Sequence, residues 1–599
     1  MLSGLPRIDK KTFLTLVILL GIALALRLFF FDGLMVTAYG RHLLTDEQLY
    51  HYWAKAIAEG RPGALFLYDQ APLPACFLAG LYGLFHPDPF LFRVANIIFG
   101  LCTCFFLYLI GSALGGRRTG LISCGLAAFY APSILYNVVP LKTSMALFLL
   151  SGFLALLSSL STDAKCGEKL FKLFGMGILL GLLSLVRSNG LILICLLPPL
   201  LVILFRPGHR LVNVPTALVV FVLGMVLTFS PFWYLQSRDS EKRSFSSSQL
   251  GRNFYYGNGP ENPTPYYHPM PFASSVPGES SVQFIIEASR RSGLDLTAKE
   301  ASSFWFREVL HYFIDNPGKG FSHLGLKLKA MVSSFEAGDH YSSDFLATLS
   351  PRFGLPLPGF AIIFALGIGG LAVSLGSSRL SRLLVIPFFL YSLSLLLFYL
   401  SGRYRIPLAV FLIPWAAVGI SNLIVFINER KWKSVFLYLG VCAVAVSLTQ
   451  LPFRGKDDFS LYYNVYAALL NSEKKYDKAI QYWEKSVAAE GSFSPLARLH
   501  LAGKYYESGR RDDAFALLDG VGDDAYVAFS KYGLLGDIFA HEGKKKEAID
   551  AYLASLEKNS GQRRIRKRLI QLYFENPDTR DSAMMQVTEL KRIEKFFQP

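Results

Sequence analysis

Apolar residues in this chain come in long, nearly unbroken blocks rather than in the short alternations of a soluble core. Eleven such stretches stand out, at about 13–31, 90–113, 118–138, 141–160, 171–187, 189–205, 213–235, 357–376, 382–400, 406–427 and 433–451. Roughly 20 apolar residues are what a helix needs to cross a bilayer, so each block predicts a membrane span. The stretch 72–86, bounded by Pro72, Pro74 and Pro87, is too short for that and predicts a helix lying at the interface. Polar segments interrupt the blocks at 32–89 and 236–356, and the chain becomes amphipathic from Ser460 onward.

That last region repeats itself. Ala479 with Trp483, Ala514 with Leu518, and Ala548 with Tyr552 pair a small and a large residue at intervals of 35 and 34 residues. Leu470, Tyr505 and Phe539 fall at matching offsets on the preceding helices. The local wording Tyr476-Asp477-Lys478-Ala479-Ile480 and Lys546-Glu547-Ala548-Ile549 resembles tetratricopeptide repeats. Three repeats and a degenerate fourth at 563–594 predict an α-solenoid over 456–599, whose helix pairs bury their apolar faces only against neighbours and leave a concave surface for a protein segment. A rigid spacer or a dimerisation module would show the same period. The basic run Arg563-Arg564-Ile565-Arg566-Lys567-Arg568 reads as a solvated helix face.

Composition agrees with a lipid-solvated chain: 17% of the 599 residues are charged, against about 25% in soluble proteins. The net charge of +16 would suit nucleic acid if it were spread over one surface, but its distribution points elsewhere. With the N-terminus cytoplasmic, alternate loops carry Arg7, Lys10, Lys11, Arg117, Arg118, Lys165, Lys169, Lys172, Arg206, Arg210, Arg379, Arg382, Arg430, Lys431 and Lys433. Only Asp9, Asp163, Glu168 and Glu429 oppose them. The long segment 236–356 is balanced at twelve basic and twelve acidic residues. The surplus is therefore a topology signal under the positive-inside rule, and no nucleic-acid partner is expected. Loops 32–89 and 236–356 and the repeat tail are placed outside. The first span, with no convincing cleavage site after it, reads as a retained anchor.

Charges at membrane depth are costly, so those that remain mark candidate chemistry. The outer loop contains Thr45-Asp46-Glu47-Gln48-Leu49-Tyr50 followed by His51-Tyr52-Trp53-Ala54. Tyr50, Trp53 and Ile57 share one helix face, so this segment can lie on the membrane and hold Asp46 and Glu47 at the mouth of the bundle. An Asp-Glu pair opening a helix also serves its dipole. Ser401-Gly402-Arg403-Tyr404-Arg405-Ile406-Pro407 stands on the outer side in a turn-like stretch, where two guanidinium groups fit the oxygens of a phosphate or anchor to headgroups.

These residues, with Arg27, Ala71-Pro72-Leu73, Arg93, Leu185-Val186-Arg187-Ser188-Asn189-Gly190, Gly251-Arg252-Asn253-Phe254-Tyr255-Tyr256-Gly257-Asn258 and Lys327 to Glu336, resemble a GT-C-type glycosyltransferase that uses a polyprenyl-phosphate-linked sugar. The branch is that of protein O-mannosyltransferases and aminoarabinose transferases. The resemblance implies an all-α polytopic membrane fold with a mixed, mainly helical outer loop. It implies inverting transfer of a hexosyl or pentosyl group to an acceptor hydroxyl at the outer face, in a bacterial inner membrane. Asp46 takes the position of general base with Glu47 its neighbour. Arg403 and Arg405, flanked by Tyr404, match the groups that bind the lipid phosphate, with Arg27, Arg93 and Lys327 as further candidates. Asn253, Tyr255, Tyr256, Asn258 and Glu336 fall in the loop that meets sugar and acceptor. Where several relatives carry a second acidic residue, this chain has Lys142, which suits the lipid phosphate or a different donor.

Divalent metal use is left open by the sequence. No His/Cys cluster has ligand spacing, and Asp46 with Glu47 is too small a set for a tight magnesium or manganese site. No phosphate-cradling glycine loop occurs, which fits a lipid-borne donor. Joined to the repeats, this half implies a protein acceptor modified on Ser or Thr. The competing readings are an O-antigen-ligase-like or polymerase-like transferase, for which His268, His311, His323 and His340 are too scattered, and a transporter or membrane scaffold presenting the repeats. The expected boundaries are 1–235, 236–356, 357–451 and 456–599.

Overall fold

The computed structural model describes residues 9–61, 71–205, 210–237, 247–274, 277–451, 458–523 and 525–595; Arg7 and Arg206 lie outside the described residues. Helices make up the described architecture, in two compact units. One unit comprises 1–62, 70–243 and 321–453, and the other 63–69, 244–320 and 454–599.

In the first unit seven helices are long and apolar enough to cross a membrane: Lys10–Met35, Phe90–Phe129, Cys166–Val186, Asn213–Tyr234, Arg379–Leu396, Gly402–Asn428 and Trp432–Thr449. Four more apolar helices are shorter, at Pro72–Leu84, Thr143–Ser158, Ser188–Leu204 and Phe360–Ser374. A multi-pass membrane protein is thus evident, while the expectation of eleven spans meets seven helices of full length. The 40-residue helix accounts for two expected blocks, because Gly115 and Gly116 leave helical geometry, Gly116 with φ 82°. Glycine takes that left-handed conformation without steric cost. Ser188–Leu196 winds as a 3-10 helix before Leu197–Leu204, which carries proline in its first turn, where a missing N–H is tolerated.

Lysines on the side read as cytoplasmic close helix ends. Lys169 Nζ donates to the carbonyls of Thr162 and Leu204 at 2.6 and 3.0 Å, and Lys172 Nζ to that of Ser159 at 2.7 Å. The ammonium groups meet carbonyls left open where helices stop.

The second unit holds the repeats as four helix pairs: Ser460–Ser472 with Tyr476–Ala488, Ser494–Glu507 with Arg511–Asp519, Ala528–His541 with Lys545–Lys558, and Arg563–Phe574 with Arg580–Glu594. Ala479, Trp483, Ala514, Leu518, Ala548 and Tyr552 are all buried, as their spacing requires. Ser486 Oγ and Ser555 Oγ donate to the Ser460 and Phe529 carbonyls at 2.7 and 2.6 Å. The basic run is largely paired, Arg564 to Asp537 and Lys567 to Glu594.

Residues 244–320 belong to this same unit, so the segment 236–356 is divided between the two units. Trp305, Tyr255, Phe284 and Phe272 form an aromatic core under the Arg291 guanidinium. Gly251 allows its helix to reach Ser302, whose hydroxyl accepts the Gly251 N–H at 3.0 Å. The repeats touch this segment through the Arg592–Asp295 ion pair and the close approach of Gly561 to Gln283 and Ile286.

Candidate active site

Four helix ends of the first unit supply the charged cluster. Thr45–Ala58 begins with Asp46 and Glu47, Gly402–Asn428 carries Arg403 in its first turn, Thr143–Ser158 follows Lys142, and Cys166–Val186 ends at Arg187. Helix termini expose unpaired backbone groups and the ends of the macrodipole, which makes them natural places to gather polar side chains.

Arg403 is the hub. Its Nη1 donates to Asp46 Oδ2 at 3.1 Å, and its Nε lies 2.9 Å from Asp339 Oδ2. The second contact is an ion pair without hydrogen-bond alignment, since Nε–H has no bonded acceptor. Nη2 reaches Tyr404 OH at 3.3 Å, which in turn lies 3.3 Å from Tyr399 OH. The main-chain carbonyl of Arg403 accepts from Arg187 Nη2 at 3.1 Å, the same nitrogen donating to Thr143 Oγ1 at 3.1 Å. Both guanidinium groups stand 5.1 Å from the centre of the Tyr404 ring.

Arg187 is 6% exposed, yet its Nε and Nη1 have no partner among the described residues. The Tyr50 hydroxyl, also fully buried, lacks one too, and it feels Asp46, Arg403, Tyr404 and Arg187 electrostatically. Buried donors without acceptors are uncommon and call for an explanation. Lys142 lies within electrostatic reach of Asp46, Arg403 and Arg187. The cluster is therefore rich in cations and holds buried donors with no acceptor among the described residues.

Asp46 and Glu47 separate sharply. Burial pushes the Asp46 carboxyl up, but Arg403, Lys142 and His340 together overcome it and hold its pKa below the ordinary value. Burial wins at Glu47, whose pKa is raised even though Leu44 N–H and Tyr341 OH both donate to it, at 2.9 and 2.8 Å. Glu47 thus makes the reach-back bond of a capped helix start, with Arg93 as a nearby countercharge. Adjacent helical residues point about 100° apart, so only Asp46 faces Arg403.

The other expected residues distribute as follows. Arg405 does not join Arg403: it donates to the carbonyls of Ala330 and Phe335 at 3.2 and 2.9 Å and pairs with Glu336 at 2.9 Å. The stretch expected as a turn is the start of a helix, where residues two apart diverge by about 200°. Arg27 is buried against Asn137 and main-chain carbonyls. Arg93 rests on Met35, its Nη1 3.4 Å from the sulfur. Lys327 Nζ donates to Leu396 O at 3.0 Å at the end of Arg379–Leu396, and burial pushes its pKa down to about 7. Tyr255 and Tyr256 pack in the aromatic core of the second unit, with hydroxyls on Glu261 and Ser280. Asn258 bonds the Phe254 carbonyl, and Asn253 is half-buried on the same helix.

Sequence reasoning passes over Asp339, His340 and the Tyr50 hydroxyl. His340 Nε2 lies 2.9 Å from Thr45 Oγ1, although it reads as one of several scattered histidines. The available signal is the polar pair Asp339-His340 after Gly338. Among the described residues no three His, Cys, Asp or Glu side chains gather as metal ligands. Asp46 and Asp339 are instead bridged by Arg403.

Residues 69–235 match the family model described as dolichyl-phosphate-mannose-protein mannosyltransferase, and residues 456–577 match that of a tetratricopeptide repeat-like domain. Over these residues the matches agree with the protein O-mannosyltransferase branch and the tetratricopeptide repeats read from the sequence. No curated protein matches the chain. Similar solved structures include the Archaeoglobus fulgidus oligosaccharyltransferase in its apo form, at 13% identity and TM-score 0.42, covering 78% of this chain and 59% of that one. The same organism's AglB in complex with an inhibitory peptide and dolichol-phosphate scores 0.41 at 13% identity, with the same coverage. ArnT from Cupriavidus metallidurans bound to undecaprenyl phosphate scores 0.34 at 14% identity, covering 72% of this chain and 87% of that one. The chain thus spans about three-fifths of the archaeal enzymes.

Proposed function

We propose that the chain is a membrane glycosyltransferase that moves a sugar from a polyprenyl-phosphate donor to an acceptor hydroxyl at the outer membrane face. The observation that carries this reading is the buried cluster in which Asp46 touches Arg403 beside Arg187, whose Nε and Nη1 have no acceptor among the described residues. A phosphate placed there meets two guanidinium groups, Lys142 and the first turn of Thr143–Ser158, a combination suited to a phosphate anion.

In the proposed step the acceptor oxygen attacks the anomeric carbon, the bond from that carbon to the phosphate oxygen breaks with its electron pair, and Asp46 accepts the acceptor's proton. Negative charge disappears from Asp46 as it appears on the departing polyprenyl phosphate. Arg403, already bonded to Asp46, stands where it can follow that charge, and fixed cations in a water-poor site stabilise it without reorganisation. Arg187 and Lys142 hold the phosphate throughout, and Tyr50 OH supplies a further donor. Arg405, with Glu336, fixes the start of the helix that carries Arg403. The family match over 69–235 supports a mannose-type sugar. The repeats, a fold that binds protein segments, support a protein acceptor with Ser or Thr hydroxyls. The N-terminus is cytoplasmic and the repeats extracytoplasmic in this reading, following the loop charges.

The test compares glycans on exported proteins by mass spectrometry after gene deletion and after complementation with wild type or Asp46→Asn. Wild type restores the missing modification and Asp46→Asn does not. Full restoration by Asp46→Asn overturns the assignment of the base.

A further inference from the structure

Arg27 is 0% exposed within the span Lys10–Met35, and no carboxylate pairs with it among the described residues. An anchoring arginine extends toward the headgroups; this one turns inward. Its Nε donates to Asn137 Oδ1 at 2.9 Å and its Nη1 to the Ala23 carbonyl at 2.9 Å, with Ala128 O and Cys104 Sγ at 3.5 and 3.7 Å. A charge at such depth is costly and is kept for function.

The bond to Asn137 has a direction. A guanidinium only donates, so it must face the amide oxygen, which turns the Asn137 NH2 group the other way. That group donates to Ser144 Oγ at 2.8 Å, and the Ser144 hydroxyl donates to Tyr136 O at 2.7 Å. Ser144 lies in the first turn of Thr143–Ser158, next to Thr143, whose hydroxyl holds Arg187. Asn96 Nδ2 donates to the carbonyls of Val139 and Leu141 at 2.7 and 3.0 Å. Gly100 leaves room for the pair, since a Cβ there would collide with the Asn137 amide and Arg27 Nε.

We infer that Arg27 is a positioning residue: by orienting Asn137 from within the bilayer it fixes the first turn of Thr143–Ser158, and with it Lys142 and Arg187, in register for a polyprenyl phosphate. This inference rests on the phosphate reading proposed above.

The test uses the full chain in nanodiscs with undecaprenyl phosphate as probe, read as the ligand-induced rise in melting temperature and as a dissociation constant. The variants are Arg27→Met and Asn137→Asp. The latter keeps an acceptor for Arg27, so the buried cation stays satisfied, but removes the N–H that Ser144 receives. The expected result is a rise for wild type and, in both variants, weakening of about tenfold, the worth of one lost hydrogen bond, with most of the rise gone. A purely structural role would lower the melting temperature without ligand and leave the ligand-induced increment intact. Wild-type-sized increments in the variants that fold overturn the inference while leaving the phosphate site standing. No increment in wild type overturns the phosphate reading and this inference with it.

Discussion

Asp46 and Arg403, separated by 357 positions in the chain, meet at 3.1 Å with both side chains nearly buried. The contact fixes two things at once. It opposes the rise in pKa that burial alone would give Asp46, and it brings beside that carboxylate a residue whose main-chain carbonyl accepts from Arg187. Arg403 is held on its other side by Asp339, so its position does not depend on Asp46 alone.

The two neighbouring carboxylates respond differently to loss of charge. Asp46→Asn removes the proposed proton acceptor, and transfer falls by about 10²- to 10⁴-fold, the usual contribution of a positioned base. Glu47→Gln keeps one oxygen to accept from Leu44 N–H and turns its NH2 group to donate to the Tyr341 hydroxyl, so activity stays close to wild type. Membrane-fraction assays with a lipid-linked sugar compare them directly; equal loss in both variants would assign the base to the pair rather than to Asp46.

Arg187 and Arg405 separate binding from stability. Arg187→Met removes Nε and Nη1, which have no acceptor among the described residues, together with the Nη2 bonds to Thr143 and the Arg403 carbonyl, so the KM for the lipid donor rises steeply at a smaller cost in melting temperature than Arg405→Met. Arg405→Met strands the half-buried Glu336 and the carbonyls of Ala330 and Phe335, so the melting temperature falls clearly. Thermal unfolding and donor titration on the same preparations distinguish the two; a stable Arg405→Met protein with raised donor KM would return Arg405 to the phosphate site.

What the sequence makes legible is whatever is local. The repeats show because Ala479, Ala514 and Ala548 recur at one helix-pair period, and the spans show because lipid demands apolar blocks. Asp46 is noticed because it opens an amphipathic helix in a polar segment between apolar blocks. Asp339 and His340 are not, because their roles arise only when a segment far along the chain returns to Thr45 and Arg403. Arg405 is misjudged for a local reason: Ser401–Pro407 contains glycine and proline and reads as a turn, whereas it starts a helix that sends Arg403 and Arg405 in different directions. Tyr255 and Tyr256 show the same limit, since an aromatic pair reads alike whether it stacks on a sugar or on Trp305 and Phe284.

The low pKa of Asp46 gives a pH dependence with a defined sign. Burial raises it, but Arg403, Lys142 and His340 lower it further, so the base stays ionised down through the ordinary carboxylate range. The acid limb of kcat/KM therefore lies below where an ordinary aspartate would put it, leaving activity flat from neutrality to mild acid. Its stabilisation is present above the unfolded-state pKa and is lost as pH falls through the folded one. Arg403→Gln leaves burial less opposed, and the acid limb of its residual activity moves upward. A limb that stays in place would show that Asp46 is not the titrating group.

The repeats are tested best by a change confined to them. At Gly536 the helix Ala528–His541 passes so close to Tyr552 that a Cβ would collide with its ring, and Tyr552 is itself buried at the centre of its helix pair. Gly536→Val overpacks that contact, a class of change that costs about 1–3 kcal/mol, and in a solenoid each repeat is stabilised mainly by its neighbours, so the loss spreads along the stack. The cluster of Asp46, Arg187 and Arg403 lies in the other compact unit. The expected outcome is an unchanged melting-temperature rise with undecaprenyl phosphate, unchanged transfer to a small soluble acceptor hydroxyl, and lowered turnover on native exported proteins. Limited proteolysis confirms that the repeats have loosened. If native proteins are modified at the wild-type rate while the repeats are demonstrably loosened, the repeats do not recruit the acceptor and serve as spacer or dimerisation module instead.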